Sequence, residues 1–208
     1  MTTRLVLVAA SGLAREAAAA VPPGMQVVGC LDDDLEATSD VVILGTIDAA
    51  AQFDDCMFLV CAGSGAVRQS IVDRMGVGPE RFATVVHPSV DIPAGCTLGS
   101  GCVVLAHSVL TADVTVGSHC VLMPHVTLTH DVVVGDFVTL CAGVSLGGGV
   151  AVGDGAYVGM NAAVRQGVRV GSDSLVGMGA VVLQGVPDGQ TWVGSPAGPI
   201  RRPHSGVA

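Results

Sequence analysis

The chain has 208 residues, of which 50% are hydrophobic and 13% are charged, a composition typical of one or two globular domains. Its net charge of −9 and its lack of lysine argue against a nucleic-acid partner, which would need a basic patch. No apolar stretch reaches the roughly 20 residues of a membrane span, and no secretory leader opens the chain. We therefore expect a cytoplasmic protein with no membrane partner.

Residues 1–85 alternate apolar runs with turn and helix signals, which predicts a small parallel α/β domain of Rossmann-like type. Pro22 and Pro23 end the first predicted helix. The predicted elements, in chain order, are a strand over 5–8, a helix over 15–21, strands over 27–31, 41–44 and 57–61, and a helix near 66–75.

Ligands of parallel α/β sheets bind at the carboxyl ends of the strands. Here those ends carry Ser11 with Gly12, Asp32 with Asp33, and Gly63, which are our candidates for ligand contact. The two aspartates also fit a simpler interpretation as charges that cap a strand end. The first turn keeps one of the three glycines of a dinucleotide fingerprint, so as a motif it is weak.

The second half has a period of six residues. Every sixth residue is Ile, Leu or Val without interruption, at Ile92, Leu98, Val104, Leu110, Val116, Leu122, Leu128, Val134, Leu140, Leu146, Val152, Val158, Val164, Val170, Val176 and Val182. The residue four places later is always small or β-branched, from Cys96 to Val186. Two inward positions per six predict a β-solenoid of triangular coils with 18 residues each, stacked over 86–200, with a tail over 201–208.

Two further features of the second half lead to expectations. Glycine often follows the aliphatic residue, as at Gly99 and Gly147, where we expect a turn whose backbone angles disfavour a Cβ. Cys96, Cys102 and Cys120 fall on the small inward row, so we expect buried, reduced thiols and no metal cluster.

The whole chain resembles the hexapeptide-repeat sugar acetyltransferases of the NeuD and PglD type. The resemblance rests on short motifs in both halves: the first turn over 10–12, Leu31-Asp32-Asp33, Cys61-Ala62-Gly63 with Arg68, His87-Pro88-Ser89, Thr129-His130-Asp131, Gly147-Gly148 and Val193-Gly194-Ser195-Pro196-Ala197. It implies a left-handed parallel β-helix after the α/β domain, acetyl-CoA as co-substrate, no metal, and a homotrimer with its sites between subunits.

The resemblance implies that His130 is the general base, that Asp131 orients it, and that the Gly148 N–H stabilises the oxyanion. His130 lies two residues after the inward Leu128 and so faces outward, where a substrate can reach it. A neutral imidazole is suited to removing a proton at pH 7. An ordinary surface histidine and a tight solenoid corner at Gly148 are the alternative interpretations.

The resemblance also assigns binding residues. Coenzyme A is expected along outward residues of the later coils, and a nucleotide sugar at the strand ends of the first domain. The candidates are Ala142, Gly148, Met160, Asn161, Gly179 and Arg165 for the coenzyme, and Ser11, Gly12, Asp32, Asp33, Gly63 and Arg68 for the sugar nucleotide. The chain departs from the family at two site positions, with Thr139 where relatives often carry histidine and Met123 where asparagine is common.

We therefore predict an acetyl-CoA-dependent enzyme that acetylates the amino group of a nucleotide-linked amino sugar. Three alternatives stay open: O-acetylation of sialic acid or another sugar, zinc chemistry at His107, His125 and His130 as in γ-class carbonic anhydrases, and a non-catalytic trimeric scaffold. His119 is interpreted as a surface residue.

Overall fold

The computed structural model describes residues 2–200, so the tail predicted over 201–208 lies outside it. The first part of the chain forms one parallel sheet of order β3-β2-β1-β4. Its elements are β1 (Thr3–Val8), α1 (Gly12–Ala20), β2 (Met25–Leu31), β3 (Ile43–Gly45), β4 (Met57–Val60) and α2 (Gly65–Met75), with short 3-10 helices at Ile47–Gln52 and Pro79–Arg81.

The sheet is buried on both faces, as a parallel sheet covered by crossover connections should be. Leu5 and Leu7 of β1 face one hydrophobic cluster with α1, whereas Val6 and Val8 face another with α2. Helix α1 begins after Ser11, whose side chain accepts a hydrogen bond from the Ala14 N–H. Helix α2 ends at Gly76, which adopts the left-handed conformation at φ +61°. The predicted α/β domain is thus confirmed.

The rest of the chain is a triangular solenoid of short strands, which up to Val182 have two residues each and pair in parallel with the strand 18 residues away. At its end Thr191–Val193 pairs in parallel with Leu175–Val176, and Gly198–Pro199 pairs antiparallel with Thr191–Val193. The first face contains Val85–Val86, Val103–Val104, Val121–Leu122, Thr139–Leu140, Tyr157–Val158, Leu175–Val176, Thr191–Val193 and Gly198–Pro199. The second contains Val109–Leu110, Thr127–Leu128, Ser145–Leu146, Ala163–Val164 and Val181–Val182. The third contains Thr97–Leu98, Thr115–Val116, Val133–Val134, Ala151–Val152 and Arg169–Val170.

Both predicted inward rows fill one continuous core, from Cys96 through Val186. All seven cysteines are buried free thiols, as expected. Across residues 2–200, no helix is long and apolar enough to cross a bilayer.

The solenoid corners correct one sequence-based expectation. The glycine directly after the aliphatic does not adopt a positive φ; at Gly99 an added Cβ would instead collide with the backbone at Gly117 and Ser118 of the next coil. The left-handed residue is the third after each aliphatic, from Gly101 to Gly179. Asp131 occupies such a position at φ +60°, which Asp and Asn tolerate better than most residues.

The α/β domain packs on the first face of the solenoid. Leu13 and Ala17 of α1 share a cluster with Val103 and Val121, the outward residues of the first-face strands. The amino end of α2 approaches so closely that a Cβ on Gly65 would collide with the Phe137 carbonyl oxygen. Glycine at 65 is therefore required by the contact between the two domains.

Candidate functional site

His130 and Asp131 form a hydrogen-bonded pair at the corner between the second and third faces. The imidazole Nδ1 lies 2.8 Å from Asp131 Oδ2, and the two side chains are 69% and 66% exposed. An Nδ1–H that donates to the carboxylate leaves Nε2 with its lone pair free, which is the state a general base needs. The pair therefore has the geometry for proton abstraction from an external group.

Gly148 lies next to this pair, at the same corner one coil later. A Cβ at residue 148 would collide with the Nε2 and Cε1 atoms of His130, so glycine makes room for the ring. The Gly149 N–H donates to the His130 carbonyl oxygen at 2.9 Å, which fixes the two coils relative to each other. Within residues 2–200 the Gly148 N–H has no acceptor, so it remains available to a developing oxyanion.

The predicted coenzyme residues divide between two corners. Arg165 lies at the His130 corner, where its N–H donates to the Val182 carbonyl oxygen. The other four residues stack at the corner between the first and second faces; they are Ala142, Met160, Asn161 and Gly179. Backbone hydrogen bonds connect them from coil to coil, because the Asn161 N–H donates to the Ala142 carbonyl oxygen and the Gly179 N–H donates to that of Met160. One chain does not bring these two groups of residues together.

A large cavity of about 830 Å³ lies between the amino end of α2 and the first face of the solenoid, opposite the His130 corner. Its lining is mostly apolar and consists of Gly63, Ser64, Gly65, Ala66, Met123, Thr139, Cys141, Gly155, Tyr157, Gly159, Met160, Asp173, Leu175, Val176, Gly177 and Met178. A hydrogen bond to Cys141, together with burial, raises the pKa of Tyr157 to about 12, so its hydroxyl stays protonated. The size suits a small-molecule ligand.

The cavity was not predicted, although its lining includes Met123 and Thr139, the two positions where the chain departs from the family. One signal was present in the sequence. The outward position of the first-face strands carries Tyr157 and Leu175, which are unusually large apolar residues for a solvent-facing position.

The carboxyl edge of the α/β sheet does bring Ser11, Asp32 and Gly63 to neighbouring strand ends. Ser11 Oγ donates to the Cys61 carbonyl oxygen at 2.6 Å, and Asp32 Oδ2 accepts from the Ala10 N–H at 2.6 Å. These bonds shape the turn before α1, whose first N–H groups, including that of Gly12, have no partner within the helix. Asp33 faces away toward Arg74, which contacts it at 2.5 Å and 3.1 Å and holds its pKa below the ordinary value.

Ala9 adopts φ +74° in this turn, a conformation that favours glycine. Arg15 was not among the sequence candidates, yet its guanidinium lies beside Gly12 at the amino end of α1. A cation is unfavourable at this end of a helix unless an anion is bound, which makes Arg15 a candidate for phosphate contact.

Arg68 does not lie where the resemblance implied. It is 0% exposed, and its N–H groups donate to carbonyl oxygens and one hydroxyl of both domains. Burial lowers its pKa to about 10, so it remains charged at neutral pH. Every N–H of the guanidinium already donates to an acceptor of the protein, so Arg68 has none left for a sugar nucleotide. The expected contact between Arg68 and the substrate is therefore at odds with the structure.

The interpretation of His119 as a surface residue is also wrong, because its side chain is buried and the residue is only 5% exposed. Its ring packs edge-on against Phe82 at 4.7 Å and stacks on Phe137 at 5.0 Å, under the covering α/β domain. Its Nδ1 has no hydrogen-bond partner in the part of the chain that the structure describes. Sequence position alone identified an outward residue but not the domain that covers it.

The zinc alternative depends on three histidines. His107 and His125 do stack, with ring centroids 5.2 Å apart, but at the corner between the first and second faces. His130 is at a different corner. No group of three or more His, Cys, Asp or Glu within residues 2–200 is arranged to hold a metal ion.

Comparison with known proteins agrees with this architecture. A family model described as the hexapeptide repeat of succinyl-transferase matches residues 149–184. The UDP-N-acetylbacillosamine N-acetyltransferase of Bacillus subtilis (strain 168) is 35% identical over 52 residues, which make up 25% of this chain and 24% of that protein. The matched segment therefore spans about a quarter of this curated relative.

Solved structures match over nearly the whole chain. The acetyltransferase domain of PglB from Neisseria gonorrhoeae FA1090, in complex with acetyl coenzyme A, is 26% identical with a TM-score of 0.88, covering 96% of this chain and 100% of that one. PerB from Caulobacter crescentus, in complex with CoA and GDP-perosamine, is 26% identical with a TM-score of 0.88, covering 95% and 97%. The chain thus contains hexapeptide repeats and is similar, over nearly its whole length, to solved acetyltransferase structures that bind coenzyme A.

Proposed function

We propose that this protein is an acetyl-CoA-dependent N-acetyltransferase whose acceptor is the amino group of a nucleotide-linked amino sugar. The observation that carries the proposal is the His130–Asp131 pair seated against Gly148, on a chain that matches sugar acetyltransferases in both of its domains. The relatives named above include a UDP-N-acetylbacillosamine N-acetyltransferase, an acetyltransferase domain in complex with acetyl coenzyme A, and a protein in complex with CoA and GDP-perosamine.

In the proposed reaction His130 Nε2 removes a proton from the acceptor amine as the nitrogen bonds to the thioester carbon. The carbonyl oxygen becomes negative and accepts from the Gly148 N–H. The carbon–sulfur bond then breaks, and coenzyme A leaves as the thiol or thiolate. Asp131 fixes the ring through Nδ1 and balances the charge of the imidazolium. No covalent enzyme intermediate is needed, because both substrates are bound together.

We propose further that the active form is a homotrimer in which each site is shared by two chains. The His130 corner and the 830 Å³ cavity lie on opposite sides of one solenoid, and the His130 pair is two-thirds exposed. A second copy whose His130 corner faces the cavity would bury the base and complete the site. In this arrangement Met160 and its neighbours hold the coenzyme on one chain, with Arg165 near its phosphates on the other.

The nucleotide is proposed to lie on the carboxyl edge of the α/β sheet. Gly12 and Arg15 would contact its phosphates, and Gly63 joins this edge to the cavity. Asp32 would then act mainly by closing the turn that presents Gly12. We place the enzyme in the cytoplasm, a reducing compartment in which seven free cysteines are usual.

The test is product analysis by mass spectrometry. The protein is incubated with acetyl-CoA and a panel of UDP-, dTDP- and GDP-linked amino sugars, together with sialic acid. We expect one nucleotide amino sugar to gain a single acetyl group, and His130→Ala to lower kcat by about 10²- to 10⁴-fold. His125→Ala is the control, since it removes another exposed corner imidazole. Acetylation of sialic acid alone would replace N-acetylation with the O-acetyltransferase alternative, and no product from any acceptor would contradict both.

A further inference from the structure

The cavity has two walls that belong to different domains. One wall is the segment 63–66, at the amino end of α2, and the other is the first face of the solenoid with Thr139 and Tyr157. The width of the cavity therefore depends on how the α/β domain sits on the solenoid.

Arg68 lies one turn into α2 and bonds to both walls. Within its own domain, Nη1 donates to the carbonyl oxygens of Ala62 and Gly63 at 2.9 Å and 3.1 Å. Toward the solenoid, Nε donates to the His119 carbonyl oxygen at 2.8 Å, and Nη2 to that of Phe137 at 2.8 Å. The guanidinium is thus a rigid connection between the two walls.

Thr139 connects this arginine to the cavity surface. Its Oγ1 accepts from Arg68 Nη2 at 3.0 Å and donates to the Gly63 carbonyl oxygen at 3.0 Å. Both Gly63 and Thr139 line the cavity. Where Gly65 meets Phe137 there is no space for even a methyl group, so the walls have one close-packed arrangement.

The charge of Arg68 has no carboxylate partner among residues 2–200 within ion-pair distance. Carbonyl dipoles from two domains stabilise it instead. A buried cation satisfied in this way resists small displacements, because moving either wall lengthens several charge-assisted hydrogen bonds at once.

We propose that Arg68 is a positioning residue that sets the spacing of the two cavity walls and thereby the affinity for the acceptor sugar, which would extend from the nucleotide past Gly63 into the cavity. The identity of the acceptor rests on the proposed function, whereas the coupling of the walls by Arg68 does not. The arginine itself touches no substrate.

The experiment compares Arg68→Met and Arg68→Lys with Arg81→Met. Arg81 is a matched control because its guanidinium also donates to carbonyl oxygens, those of Phe53 and Cys56, but within the α/β domain alone. Circular dichroism and size-exclusion chromatography verify that each variant is folded. Hydrogen exchange is then measured at segments 62–66 and 136–141, and kcat and acceptor KM are measured with the nucleotide amino sugar found by product analysis.

We expect Arg68→Met to speed exchange in both segments and to raise acceptor KM about tenfold, with kcat changed by less than about threefold. Arg68→Lys should lie between this variant and wild type, since lysine keeps the charge but not the planar fork. Arg81→Met should lower Tm without either effect. Equal changes in the Arg68 and Arg81 variants, or unchanged exchange in both segments, would overturn the proposal.

The two proposals fail separately. If the wild-type protein acetylates no acceptor, the proposed function fails, and the exchange measurement alone still decides whether Arg68 couples the walls. If Arg68→Met does not fold, hydrogen exchange and acceptor KM are both measured on Arg68→Lys.

Discussion

The imidazole of His130 packs directly against Gly148, the residue at the same corner of the next coil. The proposed base and oxyanion donor therefore share one fixed geometry, because the Gly149 N–H ties the second coil to the His130 carbonyl oxygen. This arrangement allows a sharp test of whether the corner is catalytic.

Gly148→Ala should displace the ring, since its methyl group would occupy the space of Nε2 and Cε1. A misplacement of about 1 Å can cost roughly 10² in rate, so we expect kcat to fall by about that factor with little change in Tm. Gly185→Ala is the control, because an added Cβ there meets only the Arg169 carbonyl oxygen at an ordinary 3.6 Å. Normal kcat in Gly148→Ala would argue that this corner is not the reactive centre.

Asp131→Asn tests the orienting carboxylate without disturbing the backbone. Asp131 is in the left-handed region at φ +60°, which asparagine also accepts, so the turn should survive the change. We expect kcat to fall about 10- to 100-fold, less than for His130→Ala, because the base remains but loses its charged partner. Asp113→Asn, at an equivalent left-handed corner position, should keep wild-type activity in the same steady-state assay.

His119 predicts a pH dependence of stability. Burial, followed by the nearby Arg68 charge, lowers the pKa of His119, whereas Asp136 acts in the opposite direction. Because the folded pKa is below the unfolded value of about 6.5, the unfolded chain binds the proton more readily. The stability that the neutral ring provides is fully present above the unfolded pKa of about 6.5 and is lost as the pH falls through the lower folded pKa.

The corresponding measurement is Tm as a function of pH from 7 to 5 for wild type and His119→Phe. Phenylalanine should be tolerated, since Phe137 already occupies the left-handed position of the next coil at φ +58°. We expect wild-type Tm to fall more than that of His119→Phe over this range, because only the wild-type chain carries the ring that must stay neutral in the fold. His125→Phe, an exposed substitution, should keep the wild-type slope; parallel slopes for all three proteins would contradict the assignment.

Much of the fold was predictable because the hydrophobic residues of its second half recur with a regular period. A period of six fixed both inward rows of the solenoid, from Leu98 to Val182, and strand and helix signals located the α/β elements to within a few residues. Contacts between the domains left no such signal. His119 and Arg68 look like surface residues in the sequence, and only the packing of the α/β domain on the solenoid, through Phe82 and α2, explains why both are buried.

The exposure of His130 was predictable from the sequence, but the surface that faces it was not. The outward phase of His130 correctly indicated that its side chain is exposed, whereas the roles of base and partner come from the family resemblance and stay predictions. The cavity was missed because it lies between two domains, and its lining comes from residues that are far apart in the chain. Local spacing predicts which corner a residue occupies, but not which other surface faces that corner.

A final prediction concerns the number of chains in each site. His130→Ala removes the proposed base, and Met160→Trp places an indole ring where we propose that the coenzyme binds, so each variant alone should have little activity. If each site combines the His130 corner of one chain with the cavity of another, some sites in mixed oligomers have two intact halves. A cyclic trimer that contains both variants has one intact site out of three, so co-expressed variants purified through both of their tags should recover about a third of wild-type kcat. Two inactive variants that stay inactive when co-purified in one oligomer would instead require a site built within a single chain.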